Sequence, residues 1–290
     1  MMYINFIPFL KSSRPEQWLK NIFVLGPISF SMNFLNSEKL IEVFIAFICF
    51  VLASSVTYIL NDLHDIQEDK FHPKKKLRPI PAGLISKNEA IIFSSILIFV
   101  LYLLLYNFLN NYCLMIITAY LILQVFYTLK AKYIVILDVT LIASGFVLRI
   151  ILGGYAIDVN VSNWMIISTF FLTIFLAFGK RYNEYNFEQY IKIRHSKSQY
   201  DVKLLKDFII ISCVCTIIMY GLFLVDTAER IQNQNLIYTL VFVIFGMFRY
   251  LQFLFVYKKG GEPEIIFFHD LPILINTFLW GLSTIWIMYK

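Results

Sequence analysis

The chain has 290 residues, of which 59% are hydrophobic and only 15% charged, and it carries a formal net charge of +6. Apolar residues on that scale exceed what a soluble domain can bury, which excludes soluble enzymes and makes the bilayer the natural solvent. The excess of cations follows membrane topology better than nucleic acid, so no nucleic-acid partner is expected.

Nine apolar segments follow one another, at about 22–36, 41–62, 89–107, 111–129, 133–153, 164–179, 207–225, 236–256 and 267–288. Each is long enough, or nearly so, to cross a bilayer with some tilt. They predict an all-α integral membrane protein of about nine transmembrane helices, folded as a single domain over 1–290. A β-barrel would show short alternating segments instead. The first and sixth segments are short, so a broken or tilted helix is expected there. The first also follows Arg14 and Lys20 and is interrupted by Pro27, which does not fit a cleavable signal. Cys49, Cys113, Cys213 and Cys215 lie within apolar runs and are read as small apolar side chains.

With the N-terminus inside, twenty of the 25 Lys and Arg residues fall in inner segments, and Lys39, Arg230 and Lys290 fall outside. That asymmetry predicts a cytoplasmic N-terminus, with the two long polar loops at 63–88 and 180–206 also cytoplasmic. Only these loops hold enough polar residues for aqueous chemistry, so the active site is expected on the cytoplasmic face of the cytoplasmic membrane.

The second apolar segment ends in Asn61-Asp62-Leu-His-Asp65-Ile-Gln-Glu-Asp69. The spacing i, i+3, i+7 puts Asp62, Asp65 and Asp69 on one helical face, with Asn61 one turn from Asp65. Like charges crowded on one face repel unless a cation lies between them. Acids at a helix C-terminus also oppose the macrodipole, so helix stability does not explain them. Hard oxygen ligands at the water boundary suit Mg²⁺ bound together with substrate phosphates. The alternative is a solvated helix end whose carboxylates offset nearby lysines.

Directly downstream comes His72-Pro-Lys74-Lys75-Lys76-Leu-Arg78-Pro79-Ile-Pro81-Ala-Gly83. Three prolines stiffen this stretch against helix formation. Arg78 is suited to bidentate phosphate binding, and Lys74 is a second candidate. Lys75 and Lys76 read equally as anchors to an anionic leaflet.

The Asn-Asp-x-x-Asp-x-x-x-Asp motif followed by Arg78-Pro-Ile-Pro-Ala-Gly resembles the UbiA superfamily of intramembrane prenyltransferases. That resemblance implies a helical bundle with a cytoplasm-facing polar pocket, in which the aspartates bind a diphosphate through Mg²⁺. Aromatic prenyltransferases of that superfamily carry a second aspartate pair, whereas here only Asp138 stands at the matching stretch, flanked by Ile134 and Ile142. Five segments in order resemble the decaprenyl-phosphate phosphoribosyltransferase branch. They are Arg14-Pro-Glu-Gln-Trp18-Leu-Lys20-Asn21, the acidic motif, Asp138 with Gly145 to Arg149, Gly179-Lys180-Arg181-Tyr-Asn-Glu184, and Gly260-Gly-Glu262-Pro-Glu264 with Asp270.

This resemblance implies transfer of 5-phosphoribose from 5-phosphoribosyl 1-diphosphate to a polyprenyl monophosphate, with release of diphosphate. Asp62, Asp65, Lys20 and Asp138 are the implied catalytic residues. Asn61, Lys74, Arg78, Tyr127, Lys130, Arg149, Lys180 and Arg181 are the implied substrate contacts. Lys20, Lys130, Lys180 and Arg181 are candidate partners for the 5-phosphate. Tyr127 and Lys130 are read equally as phosphate contacts or interface anchors, and Trp18 as an interfacial anchor. Asp138 and Arg149 share a helical face about three turns apart, too far to pair, and Arg149 can alternatively snorkel to the outer interface. Glu262 and Asp270 either orient cations or cap the last helix. A homo-oligomer is compatible with the sequence. Rival readings are prenyl transfer from a prenyl diphosphate to an aromatic acceptor, and a transporter, which would instead put charges or broken helices near the midplane.

Overall fold

The computed structural model describes residues 6–188, 200–258 and 263–290, and among them every regular element is helical. The Gly260–Glu262 part of the motif noted above, and Lys192, Arg194, His195 and Lys197, lie outside the described residues. Twelve α-helices follow in chain order among the described residues. They are α1 (Ile7–Ser12), α2 (Gly26–Phe30), α3 (Ser37–His64), α4 (Ile66–Phe71), α5 (Lys87–Phe108), α6 (Asn111–Leu129), α7 (Leu137–Ala156), α8 (Asn163–Glu188), α9 (Val202–Arg230), α10 (Leu240–Phe255), α11 (Pro263–His269) and α12 (Leu271–Tyr289).

Eight of the described helical stretches are long and apolar enough to cross a membrane, and they match the expected second to ninth segments. The first expected segment is not one of these eight. Residues Pro15–Leu25 wind as a 3₁₀ helix and only Gly26–Phe30 is α-helical, because Pro27 lacks an amide proton and Gly26 favours no helix. The sixth segment, expected to be short, is not broken: α8 runs for 26 residues and carries Lys180 and Arg181 on its last turns instead of in a loop. The second inner loop is correspondingly shorter than 180–206, since α9 starts at Val202 behind the Asp201 side chain, which accepts from the Lys203 amide.

Local sequence sets the helix starts. Asn36 caps α3, Asn110 caps α6, and Ser86 with Glu89 forms a reciprocal capping box on α5. These side chains satisfy amides that would otherwise be left without partners in an apolar surround.

The chain forms two compact units. The first comprises residues 1–28, 34–131 and 148–160, and the second 29–33, 132–147 and 161–290. In the first, Val24, Ile28, Ala46, Phe50, Ala53, Leu101, Ile117, Tyr120 and Leu152 make one buried core. A smaller cluster of Ile59, Ile66, Ile80, Ile85 and Ala90 roots the proline-rich loop against the end of α3 and the start of α5. That loop turns at Gly83, whose φ of +76° suits a residue without a Cβ. At the opposite end of α5, the Asn110 side chain donates to the Tyr155 carbonyl at 2.6 Å, and Tyr112 stacks on the Tyr155 ring with centroids 5.1 Å apart. The second unit is built around Phe175, Phe178, Tyr182, Leu205, Ile209, Met247, Tyr250 and Leu254.

Candidate active site

The acidic motif is helical, but not in one uninterrupted helix. α3 ends at His64, Asp65 is a turn residue, and the chain resumes in α4. The three aspartates nevertheless come out on the protein side, with Asp62, Asp65 and Asp69 only 1%, 3% and 2% exposed. Burial of three carboxylates is costly unless each is paired, and each is. Asp62 Oδ1 accepts from Arg14 and, at 3.0 Å, from Arg78 Nη1. The same Arg78 nitrogen reaches Asp69 Oδ2 at 2.7 Å, while Lys75 Nζ stands 3.3 Å from Asp69 Oδ1. Asp65 Oδ1 meets His64 Nδ1 at 2.7 Å.

Arg78 is thus the bridge between the first and third aspartates, brought there by the rooted proline loop. Burial, with Arg14 nearby, pulls Arg78 below the ordinary guanidinium range, against the opposing pull of Asp62 and Asp69. Of the other expected residues in this unit, Asn61 is half-buried beside Asp62, Lys74 is exposed on the loop, and Lys20 is half-buried in the 3₁₀ segment. Tyr127 is half-buried near the end of α6, and Lys130 is exposed just beyond it. Trp18 donates through its indole Nε1 to the Ser13 carbonyl at 3.0 Å.

Arg149 does not snorkel. It is buried among Asn21, Tyr120 and Phe50, its Nε donating to Asn21 Oδ1 at 2.9 Å and Nη2 to the Tyr120 hydroxyl at 3.2 Å. Its guanidinium carbon lies 4.7 Å from the Phe50 ring centroid and 5.1 Å from that of Tyr120. Two aromatic faces explain how a cation is tolerated there without reaching the interface.

In the second unit, Asp138 sits in the first turn of α7, buried, and accepts from Arg181 Nε at 2.8 Å and from the Tyr200 hydroxyl at 2.8 Å. Arg181 Nη1 also holds Glu184 Oε2 at 2.8 Å. Tyr200 in turn accepts from the Ile136 amide at 2.7 Å. Ile136 has φ of +71°, an unfavourable conformation for a β-branched residue, so the Tyr200 hydroxyl pins the strained turn that presents Asp138. Burial, reinforced by the Asp138 charge, raises the Tyr200 phenol above its ordinary range and keeps it a donor. Lys180 is exposed on α8. Asp270 caps α12 through the Ile273 amide and pairs with Arg249 Nη2 at 2.8 Å.

Sequence reading missed Arg14 and Tyr200 as site residues. Arg14 stands in the first quoted motif, but nothing in its spacing shows that it reaches Asp62, 48 positions on. Tyr200 lies in a polar stretch without spacing of its own.

The carboxylate and amide oxygens of Asn61, Asp62, Asp65 and Asp69 are hard donors, and in type they fit a magnesium ion. Among the described residues, no three or more His, Cys, Asp or Glu side chains are already gathered around a common point for a metal. Guanidinium and ammonium groups meet the carboxylates instead.

A bundle of membrane-spanning helices with a buried, cation-paired aspartate cluster at the end of one span defines an integral-membrane transferase of the intramembrane prenyltransferase type. The UbiA prenyltransferase family matches residues 24–282, and the chain belongs to that family. It is 30% identical to the decaprenyl-phosphate phosphoribosyltransferase of Mycolicibacterium smegmatis over 284 residues, which covers 93% of this chain and 89% of the relative. The Corynebacterium glutamicum protein of the same name is 29% identical, covering 97% of this chain and 86% of that one. Among solved structures, a UbiA homologue from Archaeoglobus fulgidus bound to DMAPP and Mg²⁺ superposes with a TM-score of 0.70 at 16% identity, covering 96% of this chain and 99% of that one. The shared fold is therefore the UbiA fold.

Proposed function

We propose that the protein transfers 5-phosphoribose from 5-phosphoribosyl 1-diphosphate to a polyprenyl monophosphate, in a Mg²⁺-dependent reaction at the cytoplasmic face of the membrane. The observation that carries this reading is the set of three buried aspartates at the end of α3 and in α4, of which Asp62 and Asp69 are tied to Arg14, Lys75 and Arg78 and Asp65 to His64. Carboxylates beside cations are what a metal-bound diphosphate requires. Similarity over nearly the whole length to two phosphoribosyltransferases supports the choice of donor. The breadth of the family match supports treating 1–290 as one catalytic domain. The distribution of lysines and arginines supports a cytoplasmic N-terminus and site.

In this reading the bond from the anomeric carbon to the diphosphate oxygen breaks, and a lipid phosphate oxygen bonds to that carbon. Diphosphate leaves with the electron pair. The lipid phosphate is already anionic, so it needs positioning and no general base. Asp62, Asp65 and Asp69, with Asn61, would hold the metal, which when bound would stabilise charge developing on the leaving group. Arg78 and Lys74 contact the diphosphate. Lys20 and Lys130 of the first unit are proposed phosphate contacts, with Tyr127 and Arg149 as further substrate contacts. In the second unit, Lys180 and Arg181 are proposed phosphate contacts in their own right. Asp138 orients Arg181, a pairing of 2.8 Å.

The test uses purified protein in detergent with Mg²⁺, a polyprenyl monophosphate and radiolabelled phosphoribosyl diphosphate. Label is expected in the lipid phase, and is expected to vanish in Asp62→Ala, in Asp65→Ala and in chelator. Turnover of a prenyl diphosphate with an aromatic acceptor, and no labelled lipid at any chain length, would overturn the reading.

A further inference from the structure

Arg14 occupies an unusual position between α1 and the 3₁₀ segment. Its backbone is left-handed, with φ 51° and ψ 68°, a conformation that a side chain with a Cβ rarely adopts. That turn aims the side chain across the Tyr58 ring, with the guanidinium carbon 4.8 Å from the centroid, onto Asp62. There the bonding is unbalanced. Asp62 Oδ1 accepts from two guanidinium groups, those of Arg14 and Arg78. The buried Nε of Arg14 has no hydrogen-bond partner among the described residues. One carboxylate oxygen carries both guanidinium bonds while one donor beside it is left over.

With His64 neutral, the charges of Asp62, Asp65 and Asp69 are equalled in number by those of Arg14, Lys75 and Arg78, which pair with Asp62 and Asp69. A divalent cation seated on the aspartates would leave two uncompensated positive charges in a buried place, so a cation already there must let go. Of the two on Asp62, Arg78 is also bonded to Asp69, whereas Asp62 is the single acidic partner of Arg14 among the described residues. Arg14 is therefore the cheaper one to release. Once released it presents Nε and Nη2 as a planar fork, the geometry that matches two phosphate oxygens. The Tyr58 face keeps the guanidinium nearby as it swings.

We propose that Arg14 is an exchangeable counter-cation: it neutralises Asp62 before ligand binds, and passes to a phosphate oxygen when a divalent cation takes its place. Metal and diphosphate binding are then coupled through this one side chain, each strengthening the other. The proposal rests on the α3 cluster being a metal–diphosphate site, and is independent of which group the diphosphate carries.

The test is a Mn²⁺ titration of the full chain in detergent, followed by the electron paramagnetic resonance of free Mn²⁺, with and without inorganic diphosphate. Arg14→Gln is expected to bind Mn²⁺ alone about five- to tenfold more tightly than wild type, and to lose a similar factor of the tightening that diphosphate brings. Lys76→Gln removes an exposed cation of the proline loop and reports the general electrostatic effect, expected at about twofold or less. Arg14→Lys keeps the charge without the fork, so it should retain weak metal-only binding and lose part of the coupling. Thermal unfolding of each variant verifies that it is folded. A shift in Arg14→Gln no larger than in Lys76→Gln overturns the proposal, and so does an absence of Mn²⁺ binding in both wild type and Arg14→Gln. Mn²⁺ binding that survives Asp62→Asn in every background instead removes the metal site on which the proposal stands.

Discussion

Gly153 of α7 lies so close to the backbone of Val24 that a Cβ on it would stand 1.9 Å from the Val24 carbonyl oxygen. The approach lets the 3₁₀ segment pack closely on α7. Gly153→Ala is expected to lower stability by ~2 kcal/mol, since backbone and not a flexible side chain must move. Thermal unfolding in detergent measures it. Gly281→Ala, where a Cβ meets nothing within 4 Å, should be neutral or slightly stabilising. Equal behaviour of the two variants would refute the close approach.

One turn earlier on α7, Arg149 holds Asn21 of that same 3₁₀ segment, and Asn21 Nδ2 continues to Ser54 Oγ at 3.2 Å. Lysine cannot reproduce a planar fork wedged between two rings. Arg149→Lys should therefore lower the unfolding temperature, with a loss of ~2 kcal/mol. An unchanged melting temperature together with a raised KM for the donor would instead assign Arg149 to substrate contact alone.

Asp138→Ala leaves the Arg181 guanidinium short of its buried partner and should cost ~3 kcal/mol. Tyr200→Phe removes a hydroxyl that serves both Asp138 and the Ile136 amide, and should cost about 1–2 kcal/mol. Because both act on one network, the double variant should lose less than the sum, and denaturant unfolding of all three proteins reads the difference. Strict additivity would show that Tyr200 does not act through Asp138.

Asp270 gives a pH dependence with a definite sign. Its hydrogen bond to Arg249 holds its carboxyl below the usual carboxylate range. The unfolded chain takes up that proton near pH 3.9, so the pair's contribution is complete above this value and fades as pH falls through the lower folded value. Asp270→Ala removes cap and partner together and should cost about 1–2 kcal/mol at neutral pH. The gap between wild type and variant should narrow on acidification below about pH 4, as followed by unfolding temperature against pH. A gap that widens there would contradict the assignment.

Much of this architecture was legible in the chain, for physical reasons that differ by element. Spans two to nine follow from apolar length alone, because lipid leaves the backbone no alternative to a helix. The acidic cluster and Arg78 were legible because like charges spaced on one helical face, followed by a proline-stiffened basic loop, need an explanation beyond solubility. Three features were not. The 3₁₀ winding of Pro15–Leu25 depends on where α7 lets the chain pack, which Pro27 only hints at. The end of α8 and the start of α9 hold polar residues that hydropathy assigns to a loop, although helix propensity and the Asp201 cap make them helical. Arg14 reaches Asp62 through a left-handed turn, and no periodicity encodes a single backbone reversal.

The Asn110 and Tyr112 contacts with Tyr155 act as a clasp at one end of the first unit. They fasten the start of α6 to the end of α7, about 33 Å along α5 from the proline loop. The loop is held separately, by its own buried cluster and by Arg78 on two aspartates. The two fastenings are thus independent: Asn110→Ala should quicken amide exchange in the last turn of α7 and leave the loop around Lys74 to Gly83 unchanged.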